Sequence, residues 1–297
     1  MISHHAVDRG VPFGDLPLPE NIEAMVIHAP VGDLTALHAP KGVRGKRGVV
    51  MMIPGFTGSK EDFYQISSIL GEDGWDVWSY SQRGQADSVA PEGRMAYDRR
   101  STAGDAVDVA RILIEHTGAK RVHLLGHSFG GVVAQAALLA DPDLFASLTL
   151  MSSGPHGWPG RKADLRQRLL DHPGGDLWRL DNPDRASLPD EELNPQDRFQ
   201  RLRAERTSRD QLIGAIDQLA DLHDRTEQLA ATGLPMMVFH GEHDDFSWPQ
   251  DWQARMARLL GARYEVITDA GHCPNIDRPE ETAALLDDFW ASAQDKR

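Results

Sequence analysis

Apolar positions along this chain fall into two kinds of run. Short continuous stretches, "GVVMMIPGF" at 48–56, "RVHLLGHS" at 121–128 and "LPMMVFHG" at 234–241, are bounded by glycine, proline or serine. Unbroken apolarity is what a strand covered on both faces of a parallel sheet requires, whereas a half-exposed strand alternates. "WDVWSYS" at 75–81 and "FASLTLMSSGP" at 145–155 read as further strands of that sheet, and "RYEVITDAGH" at 263–272 as a last one. Between them lie segments with helical spacing: "KEDFYQISSILGEDG" at 60–74, "STAGDAVDVARILIEHTG" at 101–118 with a Ser or Thr cap, "FGGVVAQAALLADP" at 129–142, "PQDWQARMARLLG" at 249–261 and "RPEETAALLDDFWASA" at 278–293. Ahead of them "NIEAMVIHAP" and "GDLTALHAP" predict an opening hairpin around "VGD", followed by the basic turn "KGVRGKRG".

Strand and helix in alternation predict an α/β class with a doubly wound, mostly parallel twisted sheet, helices on both faces and right-handed crossovers. The rhythm breaks at His156. From 156 to 233 there is no convincing buried strand; "RKADLRQRLLDH" and "NPQDRFQRLRAERTSRDQLIGAIDQLADLHDR" read as amphipathic helices, separated by breakers such as "HPGG" and "NPDRASLPD". An insertion of that length between two sheet strands is expected to be a structured helical cap. The expected organisation is therefore a core formed by 1–155 and 234–297, with 156–233 as a lid. Within that lid "RDQLIGAIDQLADLHDR" should pack its apolar face on the core.

Composition narrows the functional classes. Thirty-one Lys and Arg against 45 Asp and Glu give a net charge of −14, a surface that repels phosphate backbones and anionic lipid. No nucleic acid and no membrane partner is expected, and the charge reads as a solubilising surface that sets no specificity. With Cys273 as the single cysteine, neither an intrachain disulfide nor a thiolate zinc cluster can form. That, and the lack of a leader-like start or a membrane-length apolar run, leads us to expect a soluble cytoplasmic protein. Thirteen histidines form no zinc-binding helix motif, so no metal is expected. His4 and His5 read as a disordered tail, His127 as packed beside its neighbours, and His240 and His243 as hydrogen-bonding residues.

One stretch carries chemistry. "GHSFG" at 126–130 sets a serine between glycines where an apolar strand turns into a helix. Gly126 and Gly130 keep Cβ atoms out of such a turn, so Ser128 can project its hydroxyl clear of the sheet. The helix start beyond it offers free N–H groups and a positive dipole end where an oxyanion could form. A serine nucleophile needs a base, and the base a carboxylate, on loops after later strands. "GEHDDFSWP" supplies Asp244, with Asp245 as competitor, and "AGHCPNIDRPE" supplies His272.

Serine, aspartate and histidine in that order, with these three loops, resemble the α/β-hydrolase superfamily, whose members are serine esterases and lipases among others. The resemblance covers about 45–155 and 233–293. It implies Ser128 as nucleophile, His272 as base and then acid, and Asp244 as the group that orients the imidazole. "IPGFTGS" at 53–59 looks like the family's oxyanion loop, which implies the backbone N–H of Phe56 as one donor beside that of Phe129. Pro54 stands where the family often has histidine, a departure that bears on the loop's hydrogen bonding. "SQRGQADS" at 81–88 is a weaker match, with Ser81 and Ala86 in place of the family's Asp and Gly, and its Arg83 and Ser88 are expected to brace loops. Cys273 reads as a packing residue. Trp158, Trp178, Phe246 and Trp248 are candidate pocket residues.

The expected function is a cofactor-independent hydrolase of a small, partly apolar carboxylic ester, lactones and thioesters being in the same class. Carbon–carbon or amide cleavage on the same fold is the enzymatic alternative. A ligand receptor or biosynthetic accessory protein is the alternative of another class. An aspartate nucleophile is disfavoured by the serine at 128.

Overall fold

The computed structural model describes residues 6–42, 47–172 and 177–294. His4, His5 and parts of the 41–48 turn and of "HPGG" lie outside the described residues. Nine strands form one sheet: β1 (Val7–Arg9), β2 (Glu23–Ala29), β3 (Gly32–Ala39), β4 (Val49–Ile53), β5 (Asp76–Tyr80), β6 (Val122–His127), β7 (Phe145–Met151), β8 (Met236–Gly241) and β9 (Arg263–Ile267). Their order is β1-β2-β3-β5-β4-β6-β7-β8-β9. β2 and β3 pair antiparallel as the hairpin, β3 joins β5 antiparallel, and from β5 to β9 every pairing is parallel. The short β1, which has no signal in the apolar pattern, adds to the free edge of β2.

The continuous apolar runs follow from two cores, one on each face of the sheet. Along β4, Val49, Met51 and Ile53 enter one core, and Val50 and Met52 the other. Both side-chain sets of a strand are then buried, and alternation has nothing to gain. Helices α1 (Tyr64–Glu72) and α11 (Pro279–Gln294), the latter following the single turn α10 (Pro274–Asp277), cover one face through Ile66, Leu70, Leu286 and Trp290. The other face carries α2 (Arg99–Thr117), α3 (Phe129–Ala140) and α9 (Gln250–Leu260), through residues such as Val109, Leu113, Val133 and Met256. The α2 cap differs from expectation: Asp98, not a Ser or Thr, accepts from the Ser101 N–H, and the helix starts at Arg99. A carboxylate satisfies that orphan donor as well as a hydroxyl and also suits the dipole.

Between β7 and β8 the chain forms α4 (Ala163–Asp171), α5 (Leu177–Asp181), α6 (Pro195–Arg206), α7 (Arg209–Leu219) and α8 (Thr226–Ala231), and none of its described residues is in a strand. Of these, α7 sends Leu212, Ile213, Ile216 and Leu219 into the main core. Its close approach depends on Gly214, where a Cβ would lie 2.6 Å from the Tyr97 side chain and 2.9 Å from the Tyr97 carbonyl oxygen. Among the described residues no helix is long and apolar enough to cross a membrane.

Candidate active site

The loops that follow β4, β6, β8 and β9 all leave the C-terminal edge of the parallel strands, where an open α/β sheet places its ligands. Ser128 sits between β6 and α3 with φ 53° and ψ −116°, a backbone conformation rarely held by a residue with a side chain. Two contacts fix it. Its own N–H donates to the Met151 carbonyl of β7 at 2.9 Å. On the other side Gly130 lies against β4, so close that a Cβ would come within 2.1 Å of the Ile53 carbonyl oxygen, and one on Gly126 would come within 2.4 Å of the Gly130 oxygen. Glycine at both positions is therefore a steric requirement, as the spacing in "GHSFG" implies.

His272, after β9, holds Asp244, after β8, by a 3.0 Å contact from Nδ1 to Oδ1. Asp244 is 0% exposed. Its other partners are the Ser247 hydroxyl at 3.1 Å and the Phe246 N–H at 3.3 Å. Burial pushes its carboxyl up, but the His272 hydrogen bond and charge, with the Ser247 hydrogen bond, hold it below its ordinary value. It is therefore a carboxylate, which can only accept, so His272 Nδ1 bears a proton, and the tautomer this selects for the neutral ring has its lone pair on Nε2. Asp245 is exposed and does not reach His272; Asp244 is the residue brought to it.

A third residue ties the elbow to the histidine loop. His127 Nε2 lies 2.9 Å from the His272 carbonyl oxygen. That oxygen can only accept, so Nε2 carries the ring proton. Burial, then the neighbouring His272, lower the His127 pKa to about 4 and keep it neutral. Its rings pack on His272 with centroids 4.9 Å apart.

A cavity of about 490 Å³ opens over these residues, lined by Ser128, His127, His272 and Phe56 from the sheet loops and by residues of α4, α5 and α6 from above. Ser128 is buried apart from the face it turns to this cavity, and among the described residues its hydroxyl takes no hydrogen-bond partner. The N–H groups of Phe56 and Phe129 are also without partners among the described residues, the former on the cavity wall and the latter at the start of α3. The Phe56 loop is held from behind, because Gln82 donates to the Pro54 carbonyl at 3.0 Å and Gln85 to the Gly55 carbonyl at 2.8 Å. These two glutamines carry no signal of their own in sequence; their position in "SQRGQADS" was the only pointer. In the same loop Arg83 forks onto Asp105 and reaches the Ala96 carbonyl, and Ser88 donates to the Ser81 carbonyl.

Of the four candidate pocket aromatics, Trp178 and Phe246 line the cavity. Trp158 and Trp248 do not, and are corrected: both rings stack on the Arg161 guanidinium, at 4.0 and 4.2 Å, and the Trp248 N–H is spent on the His156 carbonyl. Indole faces matched to a buried cation have no need of a ligand. Cys273 also lines the cavity rather than only packing, but burial, and then Asp62, push its thiol up to about 12, so it is no thiolate. His240 is bonded to the Gly241 carbonyl and the Tyr264 hydroxyl. Glu242, His243 and Asp269 bring ligand atoms within 4.8 Å of one another, all three exposed, a grouping the linear sequence does not display.

The fold is that of known proteins. A profile of the alpha/beta hydrolase family matches residues 50–285. The monoacylglycerol lipase abhd6-B of Xenopus laevis is 24% identical over 290 residues, spanning 91% of this chain and 83% of that one. The 2-hydroxy-6-oxononadienedioate/2-hydroxy-6-oxononatrienedioate hydrolase of Paraburkholderia xenovorans is 28% identical over 225 residues, 70% of this chain and 72% of that one. A thermophilic esterase from Thermogutta terrifontis superposes with a TM-score of 0.70 at 20% identity, covering 91% of this chain and 98% of its own. With the profile running from β4 into α11, through every loop that lines the elbow, the chain belongs to the alpha/beta hydrolase family.

Proposed function

We propose that this protein is a serine hydrolase of small carboxylic esters. The observation that carries the reading is the buried Asp244 on His272 Nδ1, which leaves Nε2 free to take a proton in the cavity that Ser128 faces. In the first half-reaction the Ser128 oxygen attacks the ester carbonyl carbon, its proton passes to His272 Nε2, and the carbonyl oxygen becomes an oxyanion facing the Phe56 and Phe129 N–H groups. The carbon–oxygen bond to the alcohol then breaks, and His272 returns the proton to the leaving alkoxide. Water repeats the sequence on the acyl-enzyme, giving its proton to His272 and releasing the acid and free Ser128. No step calls for a cofactor.

The test is a series of p-nitrophenyl esters from acetyl to dodecanoyl, assayed with the wild type and Ser128→Ala, together with fluorophosphonate labelling. Turnover lost in Ser128→Ala, with labelling of Ser128, supports the reading. Turnover retained in Ser128→Ala overturns it. The name of the Paraburkholderia xenovorans relative supports a second reading, cleavage of a carbon–carbon bond beside a ketone by the same residues. Activity on vinylogous 1,5-diketo acids with none on esters would favour it.

A further inference from the structure

The cavity's charges are not evenly matched. Its two carboxylates are engaged: Asp62 with Arg203 at 2.6 Å and Asp181 with Arg168 at 2.8 Å. Two of its cations, Arg161 and Lys162, form no ion pair among the described residues. Arg161 is 8% exposed, its Nη2 donates to the Ser247 carbonyl at 2.9 Å, and its Nη1 is buried with no partner. The field of Asp244 reaches it, but that carboxylate is committed to His272 and Ser247. Nη1 is closed off from solvent and the guanidinium is sandwiched between the Trp158 and Trp248 rings, so Arg161 acts on the cavity through its charge and not through that N–H.

Lys162 reinforces the point. It holds φ 56°, strained for a residue with a side chain. This conformation accompanies a side chain whose ammonium lies 5.1 Å from the Phe56 ring centroid and 4.9 Å from that of Phe246. Both rings line the cavity beside the proposed oxyanion loop. Burial first, and then the Arg161 charge, lower the Lys162 pKa. Two adjacent cations kept together against their mutual repulsion, in a chain of net charge −14, make a local positive site with no ion-pair partner among the described residues.

We infer that the substrate carries a second, anionic carboxylate, received by the Lys162 ammonium with the charge of Arg161 behind it, while its ester carbonyl meets Ser128. This deepens the ester-hydrolase reading and rests on it. The preferred substrates are thus monoesters of short dicarboxylic acids rather than neutral esters. A charge-assisted hydrogen bond to such a carboxylate is worth about ten- to a hundredfold in selectivity.

The experiment compares monoethyl esters of succinic to suberic acid with the isosteric monoethyl ester amides, following release of ethanol. Expected is a preference for at least one acid over its amide of about tenfold or more in kcat/KM. That preference should be lost in Lys162→Gln and restored in Lys162→Arg, with circular dichroism to check folding. Acids and amides turned over equally by the wild type, or a preference unchanged in Lys162→Gln, overturns the inference. If neither these series nor any p-nitrophenyl ester is turned over, the hydrolase reading falls by itself, and calorimetry with the free diacids decides this one. Binding to the wild type that weakens about tenfold in Lys162→Gln sustains the anion site, and no binding removes it.

Discussion

His127 Nε2 donates to the carbonyl oxygen of His272 at 2.9 Å, so the residue before the serine grips the backbone of the histidine it must face. The two loops come from β6 and β9, with β7 and β8 between them. A part-buried hydrogen bond therefore joins the loops of the proposed nucleophile and base. His127→Phe should lower kcat about tenfold with KM little changed, because the pair loses alignment and the cavity keeps its shape. His127→Gln, whose amide can still donate, should recover most of the rate. Steady-state kinetics on p-nitrophenyl acetate separates this positioning role from a fold defect, which would lower the active fraction of both variants alike.

Asp244→Asn should reduce kcat by on the order of 10⁴, since an amide donating to Nδ1 would trap the imidazole in the tautomer with the proton on Nε2. Asp245→Asn should stay within about twofold of wild type, as an exposed carboxylate contributes little beyond long-range field. Equal effects in the two variants would contradict the 3.0 Å contact as the functional one.

Gln82→Leu leaves the Pro54 carbonyl unpaired, and Gln85→Leu leaves the Gly55 carbonyl with only the 3.3 Å Gly58 N–H while taking from the Gln82 N–H its acceptor. Each should cost about 1–3 kcal/mol of stability, and the double variant should lower kcat more than the folded fraction. Urea unfolding together with active-site titration checks this.

Buried His123 and His127 both have pKa values lowered from 6.5 to about 4 by burial. As pH falls below 6.5 the unfolded chain takes up protons that the folded rings refuse, so stability drops by about 1.4 kcal/mol per pH unit for each ring. The loss levels off near pH 4, where the folded rings protonate too. Urea midpoints between pH 7 and 5 should show the slope, and His123→Leu should remove one ring's share of it.

Gly130→Ala places a methyl 2.1 Å from the Ile53 carbonyl oxygen. The cost should be about 3 kcal/mol, with loss of activity, because backbone has to shift. Thermal unfolding and the esterase assay would report both.

The sheet and the serine elbow were legible because their constraints are local. Continuous apolar strands, glycines at 126 and 130, and acid and histidine after later strands leave their mark in short windows. The cap of α2 was misread because Asp98 precedes the apolar periodicity and serves as well as a hydroxyl. Trp158 and Trp248 were misplaced because composition says that aromatics gather near a cleft, but not which of them a buried Arg161 will claim. Gln82, Gln85 and the unpaired cations of 161 and 162 were invisible for the same reason: their meaning lies in partners 20 or more residues away, or in the absence of one.

The clamp on Ser128, between Met151 on one side and Ile53 on the other, has a mechanical corollary. The elbow takes its shape from three neighbouring strands and takes none of it from the helices above the cavity. On the proposed reading, chemistry and selectivity are borne by different parts of the same molecule, like a fixed tool and an interchangeable jig. α4 and α5 each reach the main core through one buried leucine, Leu169 and Leu177, whereas α7 sends four leucine and isoleucine side chains into it and seats Gly214 against Tyr97, so an exchange of helices over the cavity meets its firmest limit at α7.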